Sequence, residues 1–580
     1  MGVTHTTDPE ARDAKRDLKV VLNSQDTFSG SEKTEPDAKE SEDTQEGNTE
    51  ITTVWNKKLI TIAYLMIWVI YFFELMQRGV EASLAPYVLS EFANHSLTPV
   101  VLIMSSVFGG VFKLALAKVL DLFGRPLGCL VSVIVATFGL AMMAACNSVE
   151  MYSVAQIFYS LGNHGLMYCL GVFIADTSSL RNRGLMWAFA YSPNLITSFM
   201  AGPISESFFN GPGWRWFFGS FALMLPLVNL PLFFLFMYTS RKAKKLGLKT
   251  KEVVDRTMWQ SIKHYICEFD ALGLILLTVG LAFVLLPINI YRLQPDGWAS
   301  PLIIVMMVLG VVSLVAFVIW ERYFTPVTFI PYELLLDRTI IGACILAGVL
   351  LISIYCWMSY FISWLQVAMD LSIRTSSYIA QIYGLGAVFW CVVMGFFIRY
   401  TGRYKAPTLY FGVPGSILGL GLMIYFRQPD VHVGWIIMCQ IIMCLTGGTI
   451  FVCVPVAIMA AASDKHVSVL LAIEGMFAEL GGAIGLSIAS TIWQASFPAK
   501  LAEYLPEKDQ PNLMKIYSSL QTQLSYPVGT DTRTAIQQAY SDSQQLLSIT
   551  GTAIWAIGLI ATIGWKDINV KNVKKATGSH

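Results

Sequence analysis

Glu74, Arg78 and Glu81 stand at i, i+4 and i+7 in the first long apolar stretch of this 580-residue chain, a spacing that puts all three on one face of a helix. Glu474 and Glu479 stand in another apolar stretch, rich in glycine, beside Gly481-Gly482. Five residues apart on a helix, they diverge by about 140° and do not form one carboxylate pair. A charge in hydrocarbon costs a few kcal/mol or more unless it is paired or hydrated. A carboxylate escapes that cost by binding a proton or by meeting a cation. The chemistry on offer is reversible protonation linked to the making and breaking of ion pairs. Glu74 reads either as half of a buried pair with Arg78 or as a proton-coupling acid near mid-membrane. Glu474 and Glu479 read either as coupling acids or as hydrogen-bond partners of a neighbouring helix. Asp176, followed by Arg181 and Arg183, suits a gate ion pair at a helix end better than a proton carrier. Lys113 either reaches out to the interface or meets an acid such as Asp121. His164, next to a glycine, is either a relay or a hydrogen-bonded side chain.

Such residues must be carried by elements that tolerate lipid. Between residues 59 and 565 an apolar run of about 20 residues and a short polar break recur about fourteen times. Each run is long enough to cross a hydrocarbon core as a helix, which satisfies its own backbone hydrogen bonds there. The composition agrees: 55% of residues are hydrophobic and 14% charged. The length therefore implies one helical membrane bundle with tails, not several soluble domains. The net charge of +1 hides an asymmetry. Lys118 and Arg125 follow the second run, Arg181 and Arg183 the fourth, and Arg399, Arg403 and Lys405 the tenth. Arg241, Lys242, Lys244, Lys245, Lys249, Lys251, Arg256 and Lys263 follow the sixth, whereas the loops at 90–99 and 147–152 hold no Lys or Arg. The positive-inside rule then puts both termini in the cytosol and makes the number of spans even. Residues 1–55 are polar, lack the apolar core of a signal peptide, and are expected to be a disordered cytosolic tail. Asn94-His95-Ser96 in the first outer loop is a glycosylation sequon. The ten cysteines avoid the outer loops, with Cys267 just before the seventh run, so neither disulfides nor a zinc site is expected.

Loop lengths group the runs. Six fill 56–238, a basic cytosolic loop follows at 239–270, and two more occupy 271–320. Six fill 321–565, with a long extracellular segment at 494–545, and 566–580 is a second cytosolic tail. This pattern suggests two six-helix halves with a two-helix insertion, and half-repeats of that kind occur in major facilitator transporters. Ala117-Lys118-Val119-Leu120-Asp121-Leu122-Phe123-Gly124-Arg125-Pro126 resembles the cytosolic motif of that superfamily, in which an acid precedes Gly-Arg. The glycine permits a tight turn, and the Asp121–Arg125 pair would latch helix ends in one access state. Arg399-Tyr400-Thr401-Gly402-Arg403 is a degenerate second copy with a base in the acid's place. The stretch Gly162-Asn163-His164-Gly165-Leu166-Met167-Tyr168, with its exit Asp176-Thr177-Ser178-Ser179-Leu180-Arg181-Asn182-Arg183-Gly184, resembles the signature segment of fungal siderophore–iron transporters. Tyr360-Phe361-Ile362-Ser363-Trp364-Leu365-Gln366-Val367 resembles the aromatic outer mouth of that family, and Ala539-Tyr540-Ser541-Asp542 its motif before the last span. The resemblance covers 55–566.

The resemblance implies an all-α membrane protein of the major facilitator fold with about 14 spans. It also implies proton-coupled import of a ferric siderophore, hydroxamate in type, by alternating access, and no enzymatic activity. In that fold Tyr71, Tyr168, Trp187, Tyr191, Trp357, Tyr360, Trp364 and Trp390 lie on cavity-lining spans. Asn194 adds a polar handle, Gln366 belongs to the outer mouth, and Tyr540 would offer a ring and a hydroxyl from the extracellular side. An aromatic pocket with few donors suits a bulky chelate whose metal charge is neutralised by its own ligands. Iron would then travel inside its organic shell, with no protein metal ligand and no cofactor. The expected partners are a ferric siderophore, protons and membrane lipid, with no nucleic acid. The chain is expected to act as a monomer, in the plasma membrane or else an endosomal vesicle. A second reading stays open, because Gly202-Pro203 resembles the antiporter motif of drug exporters with the same number of spans, although Ser205 and Glu206 replace its glycines. A third, a nutrient sensor on a transporter scaffold, is weakened by tails without a recognisable signalling domain.

Overall fold

The computed structural model describes residues 55–91, 98–178, 180–246, 270–291, 294–325, 336–462 and 466–571. The tail at 1–54, most of the basic loop with Cys267, the Asn94 sequon, the last nine residues, and the side chains of Asp121 and Arg181 lie outside the described residues. Every regular element among the described residues is helical.

The N-terminal half comprises α1 (Lys57–Glu91), α2 (Thr98–Phe123), α3 (Arg125–Ala145), α4 (Val149–Thr177), α5 (Leu180–Tyr191), α6 (Asn194–Asn210) and α7 (Trp214–Lys245). Next come α8 (Ala271–Leu285), prolonged by the single turn Pro287–Ile290, and α9 (Pro301–Tyr323). The C-terminal half begins with α10 (Arg338–Met358), α11 (Phe361–Val367), α12 (Ile373–Thr401), α13 (Val413–Phe426), α14 (Val433–Ala461) and α15 (Val467–Tyr504). It ends with α16 (Leu513–Ser518), α17 (Leu520–Ser525), α18 (Asp531–Ala553) and α19 (Trp555–Ile563). Among the described residues, 12 helical stretches are long and apolar enough to cross a membrane. The second and fifth expected spans account for the difference from the sequence reading. In α2 the side chains are described continuously only over Ile103–Ala117, an apolar stretch shorter than a full span. The fifth is split at Ser192-Pro193 into α5 and α6, where proline cannot donate to the helix ladder.

Local chemistry sets the ends. The Ser148 hydroxyl accepts from the Met151 amide at 3.2 Å and starts α4. Gly124 (φ 83) and Gly402 (φ 75), the glycines of the two Gly-Arg copies, both hold positive φ at helix ends, which L side chains resist. The segment at 494–545, read from sequence as a loop, is largely helical: α15 runs on to Tyr504, α18 already starts at Asp531, and α16 and α17 fold between them.

Close helix pairs depend on small residues. A Cβ at Gly162 of α4 would lie 2.2 Å from the Ala136 amide of α3, and one at Gly481 of α15 would lie 2.3 Å from the Gly348 carbonyl of α10. The two halves meet along α2 against α15 and along α5 against α12. Helix α8 packs on α2 and reaches α15, where the Asn289 amide donates to the Ser487 hydroxyl at 3.1 Å. The inserted pair thus rides on one of the two seams. In α9 only Ile303 and Gly310 are buried, as expected of a helix whose remaining apolar faces meet lipid.

Candidate functional site

Glu74, Arg78, Lys113, His164, Glu474 and Glu479 come together in the middle of the bundle, where α1, α2, α4, α5 and α15 face one another. On α1, Glu74 is 3% exposed, and neither carboxylate oxygen has a hydrogen-bond partner among the described residues. One helical turn on, Arg78 is exposed and makes no ion pair or hydrogen bond among the described residues. The buried Glu74–Arg78 pair offered by the spacing is therefore absent in this conformation. Arg78 instead stands as an open cation within electrostatic reach of Glu74, Glu479, Tyr159 and Tyr191. Glu81 accepts from the Gln156 amide of α4 at 2.7 Å.

Glu479 is the most tightly held of the acids. Lys113 Nζ of α2 donates to its Oε1 at 3.0 Å, and His164 Nε2 of α4 lies 3.2 Å from the same oxygen. Lys113 therefore meets an acid, one carried by the opposite half. Glu474, half-buried on the same helix, lies within electrostatic reach of Lys113 and Glu479.

Aromatic rings close one side of this centre. Tyr71 meets Tyr191 edge-on at 4.9 Å, Tyr191 stacks on Trp187 at 6.2 Å, and Phe451 of α14 meets Tyr191 at 5.7 Å. The Tyr71 hydroxyl faces that of Tyr191, and the Trp187 indole nitrogen is buried without a partner among the described residues. Asn194, just past the break between α5 and α6, faces Gly384 of α12, with its amide nitrogen 4.0 Å from where a Cβ would stand.

Other predicted residues lie elsewhere. The Tyr168 hydroxyl donates to the Ser468 carbonyl at 2.6 Å, a strut from α4 to α15. Trp390 donates to Thr449 at 2.9 Å inside the C-terminal half. Trp357, Tyr360, Trp364, Gln366 and Tyr540 gather at the opposite end of α10 from Arg338. Trp357 and Trp364 are 1% and 0% exposed, Gln366 8% and Tyr540 3%. Tyr360 (φ 60) forms the break between α10 and α11 and stacks on Trp493 at 4.2 Å. The Tyr540 hydroxyl donates to Gln523 at 3.1 Å. In this conformation these five residues form a packed core, not the lining of an open mouth.

At the other end of the N-terminal half, Arg125 donates to Asp176 through Nε at 3.1 Å and Nη2 at 2.5 Å. The partner of Asp176 is thus Arg125, while Arg183 is 3% exposed and donates to the Ser178 carbonyl at 3.3 Å. An apolar groove of about 390 Å³ between α3 and α7, lined by Ile134, Phe138 and Leu230, contains none of these residues and opens on a lipid-facing surface.

Sequence reasoning missed two features. One is the pairing of Lys113 and His164 with Glu479, for which intramembrane charge on separate spans was the available signal. The other is Arg427, fully buried at the end of α13 and set against Phe361, Trp357 and Trp364 at 4.8–6.0 Å. Its signal was a base on the side where the positive-inside rule expects few.

Two six-helix halves meeting on a charged centre define a major facilitator transporter, and the model of the Major Facilitator Superfamily matches residues 67–486. Among solved structures, a bacterial homolog of the human lysosomal transporter Spinster, inward-facing and unoccupied, shares the fold with TM-score 0.50 at 12% identity, over 88% of this chain and 98% of that one. The chain is 51% identical to MFS siderochrome iron transporter 1 of Ajellomyces capsulatus, over 93% of its own length and 92% of the relative's. It is 42% identical to MFS siderochrome iron transporter D of Aspergillus fumigatus (91% and 89%) and 38% identical to siderophore iron transporter mirB of Emericella nidulans (91% and 87%). The chain belongs to the fungal siderophore–iron transporter family of the Major Facilitator Superfamily.

Proposed function

We propose that the chain imports a ferric siderophore, of hydroxamate type, together with protons and by alternating access. The observation that carries this reading is near full-length likeness to relatives that are all named for siderochrome or siderophore iron transport. The centre of the bundle supports it. Arg78 offers a guanidinium without an ion pair among the described residues to the oxygen-rich face of a chelate, Tyr71, Trp187 and Tyr191 offer flat faces, and the Trp187 indole nitrogen an unused donor. Glu74, Glu474 and Glu479 supply carboxylates that change charge by binding a proton. One positive charge moved inward across 100 mV is worth about 2.3 kcal/mol, roughly fifty-fold accumulation, which is adequate for a scarce neutral chelate. Fourteen crossings with both termini cytosolic, a monomer, and residence in the plasma membrane belong to the same reading.

The test is uptake of single iron-loaded siderophores by a siderophore-auxotrophic yeast expressing the full chain. Import predicts uptake that rises as external pH falls and collapses with a protonophore. Resistance to toxic compounds without uptake of any chelate would favour export and sink the proposal.

A further inference from the structure

The α2–α15 seam is cut to hold three charged side chains. A Cβ at Gly109 would sit 2.4 Å from His164 Nδ1, one at Gly110 3.1 Å from Glu479 Cβ, and one at Gly475 3.1 Å from Lys113 Cδ. Each glycine leaves the space that one member of the triad fills. Glu479 comes from the C-terminal half, and Lys113 and His164 from the N-terminal half. Their side chains are 13%, 17% and 21% exposed for Lys113, Glu479 and His164, so they are enclosed without being sealed. A close pair in such surroundings is strong while it is whole, and costly when one partner loses its charge.

We propose that Lys113 and His164 form a clasp on Glu479 that holds the halves together along α2 and α15 and that opens when Glu479 takes up a proton. The proposal rests on the proton-coupled reading above and assigns the step at which proton binding becomes movement. A proton from the substrate side adds to the Glu479 carboxylate, and the Lys113 ion pair is lost. The ammonium and imidazole then no longer have an anion to hold α15. Release of the proton on the other side restores the clasp. The titratable or charged groups facing Glu479 are Arg78 of α1, Lys113 of α2, His164 of α4, Tyr191 of α5, Tyr355 of α10 and, on α15 itself, Glu474. Lys113 and His164 are positioning residues, and Glu479 is the group whose protonation opens the clasp.

The test measures two quantities in yeast expressing the full chain: steady-state accumulation of an iron-loaded neutral trihydroxamate, and its counterflow exchange, which needs the fold but no net proton movement. Lys113→Met and His164→Gln are expected to exchange within about threefold of wild type. Both should accumulate about tenfold less, with a flattened profile between about pH 5 and 8. Lys113→Arg, which keeps the charge, is expected to accumulate normally. Wild-type accumulation and pH profile in both Lys113→Met and His164→Gln overturn the clasp. So does loss in Lys113→Arg equal to that in Lys113→Met, since packing would then explain it. A wild type indifferent to pH and to a protonophore removes the proton-coupled reading and the clasp together. A proton-dependent wild type with unaltered variants removes the clasp alone.

Discussion

Glu74→Gln separates a coupling acid from a structural one because the geometry predicts opposite consequences for stability and transport. The carboxylate is 3% exposed and neither oxygen accepts a hydrogen bond, so the substitution deletes no bond. Ionised, the side chain bears a desolvation cost of several kcal/mol, only partly offset by an Arg78 that does not touch it. A neutral amide of nearly the same volume removes that cost, and stability should hold or rise by about 1 kcal/mol. Transport should fail all the same. If Glu74 carries a proton of each cycle besides the one that opens the Glu479 clasp, its loss forfeits about 2.3 kcal/mol at 100 mV, about fifty-fold in accumulation. The assay is uptake of labelled ferric chelate into vesicles held at an imposed inside-negative potential, alongside a thermal melt of the purified protein. Unchanged accumulation and pH dependence would transfer the role to Glu479 or Glu474. A melt lowered by the equivalent of about 2 kcal/mol would show that the carboxylate has a partner after all.

Four further expectations use the same measurements. Tyr540→Ala should lose stability by about 3–5 kcal/mol, because the ring packs edge-on against Trp493 and Phe497 at 4.9 and 4.6 Å. Tyr540→Phe should lose about 1 kcal/mol with unchanged half-saturation, and a raised half-saturation with intact stability would instead make the hydroxyl a substrate contact. Gly481→Leu should abolish surface expression, since its Cβ alone would stand 2.3 Å from the Gly348 carbonyl; near-normal expression would mean that α10 and α15 separate freely. Arg427→Met should cost about 3 kcal/mol or more by leaving the Trp357 carbonyl and Gln544 without their donor, and an unchanged melt would refute that. Asp176→Asn should change the melt by less than about 1 kcal/mol, because the pair with Arg125 is partly exposed, yet slow uptake at saturating chelate; an unaltered maximal rate would remove the gate role.

Much of the fold was legible because a span declares itself by composition and length. Gly481, in the glycine-rich run, lies close against the Gly348 backbone of α10, an approach that small residues permit. The fifth expected span is the one divided by its own sequence, at Ser192-Pro193 between α5 and α6. The site was legible as a set of charged residues but not as partners. Helical spacing relates residues on one helix, and it suggested Glu74 with Arg78. The structure pairs across helices, Lys113 with Glu479 over 366 positions and Arg125 with Asp176 over 51. Burial of the chain ends of helices was invisible for a related reason: the polar segment at 494–545 alternates in character as a soluble domain does, and it folds onto the bundle as one.

The aromatic outer motif illustrates what a sequence resemblance leaves unexplained. Trp357, Phe361 and Trp364 surround Arg427, whose Nη2 donates to the Trp357 carbonyl at 2.8 Å. Gln544 of α18 bonds the other end of that guanidinium and also donates to the Ser359 carbonyl at 3.0 Å. Both carbonyls lie at the break between α10 and α11, where Tyr360 leaves the helix and the ladder cannot satisfy them. In an apolar setting each orphaned carbonyl would cost more than a kcal/mol, so the break persists only because an arginine from α13 and a glutamine from α18 reach it. The ring faces attract the guanidinium, which has no carboxylate partner among the described residues. The aromatic residues of this motif thus have a structural task, holding a broken helix at the end where α18 closes over α10. Any movement that lets a chelate pass this end must move Arg427, Gln544 and the break together.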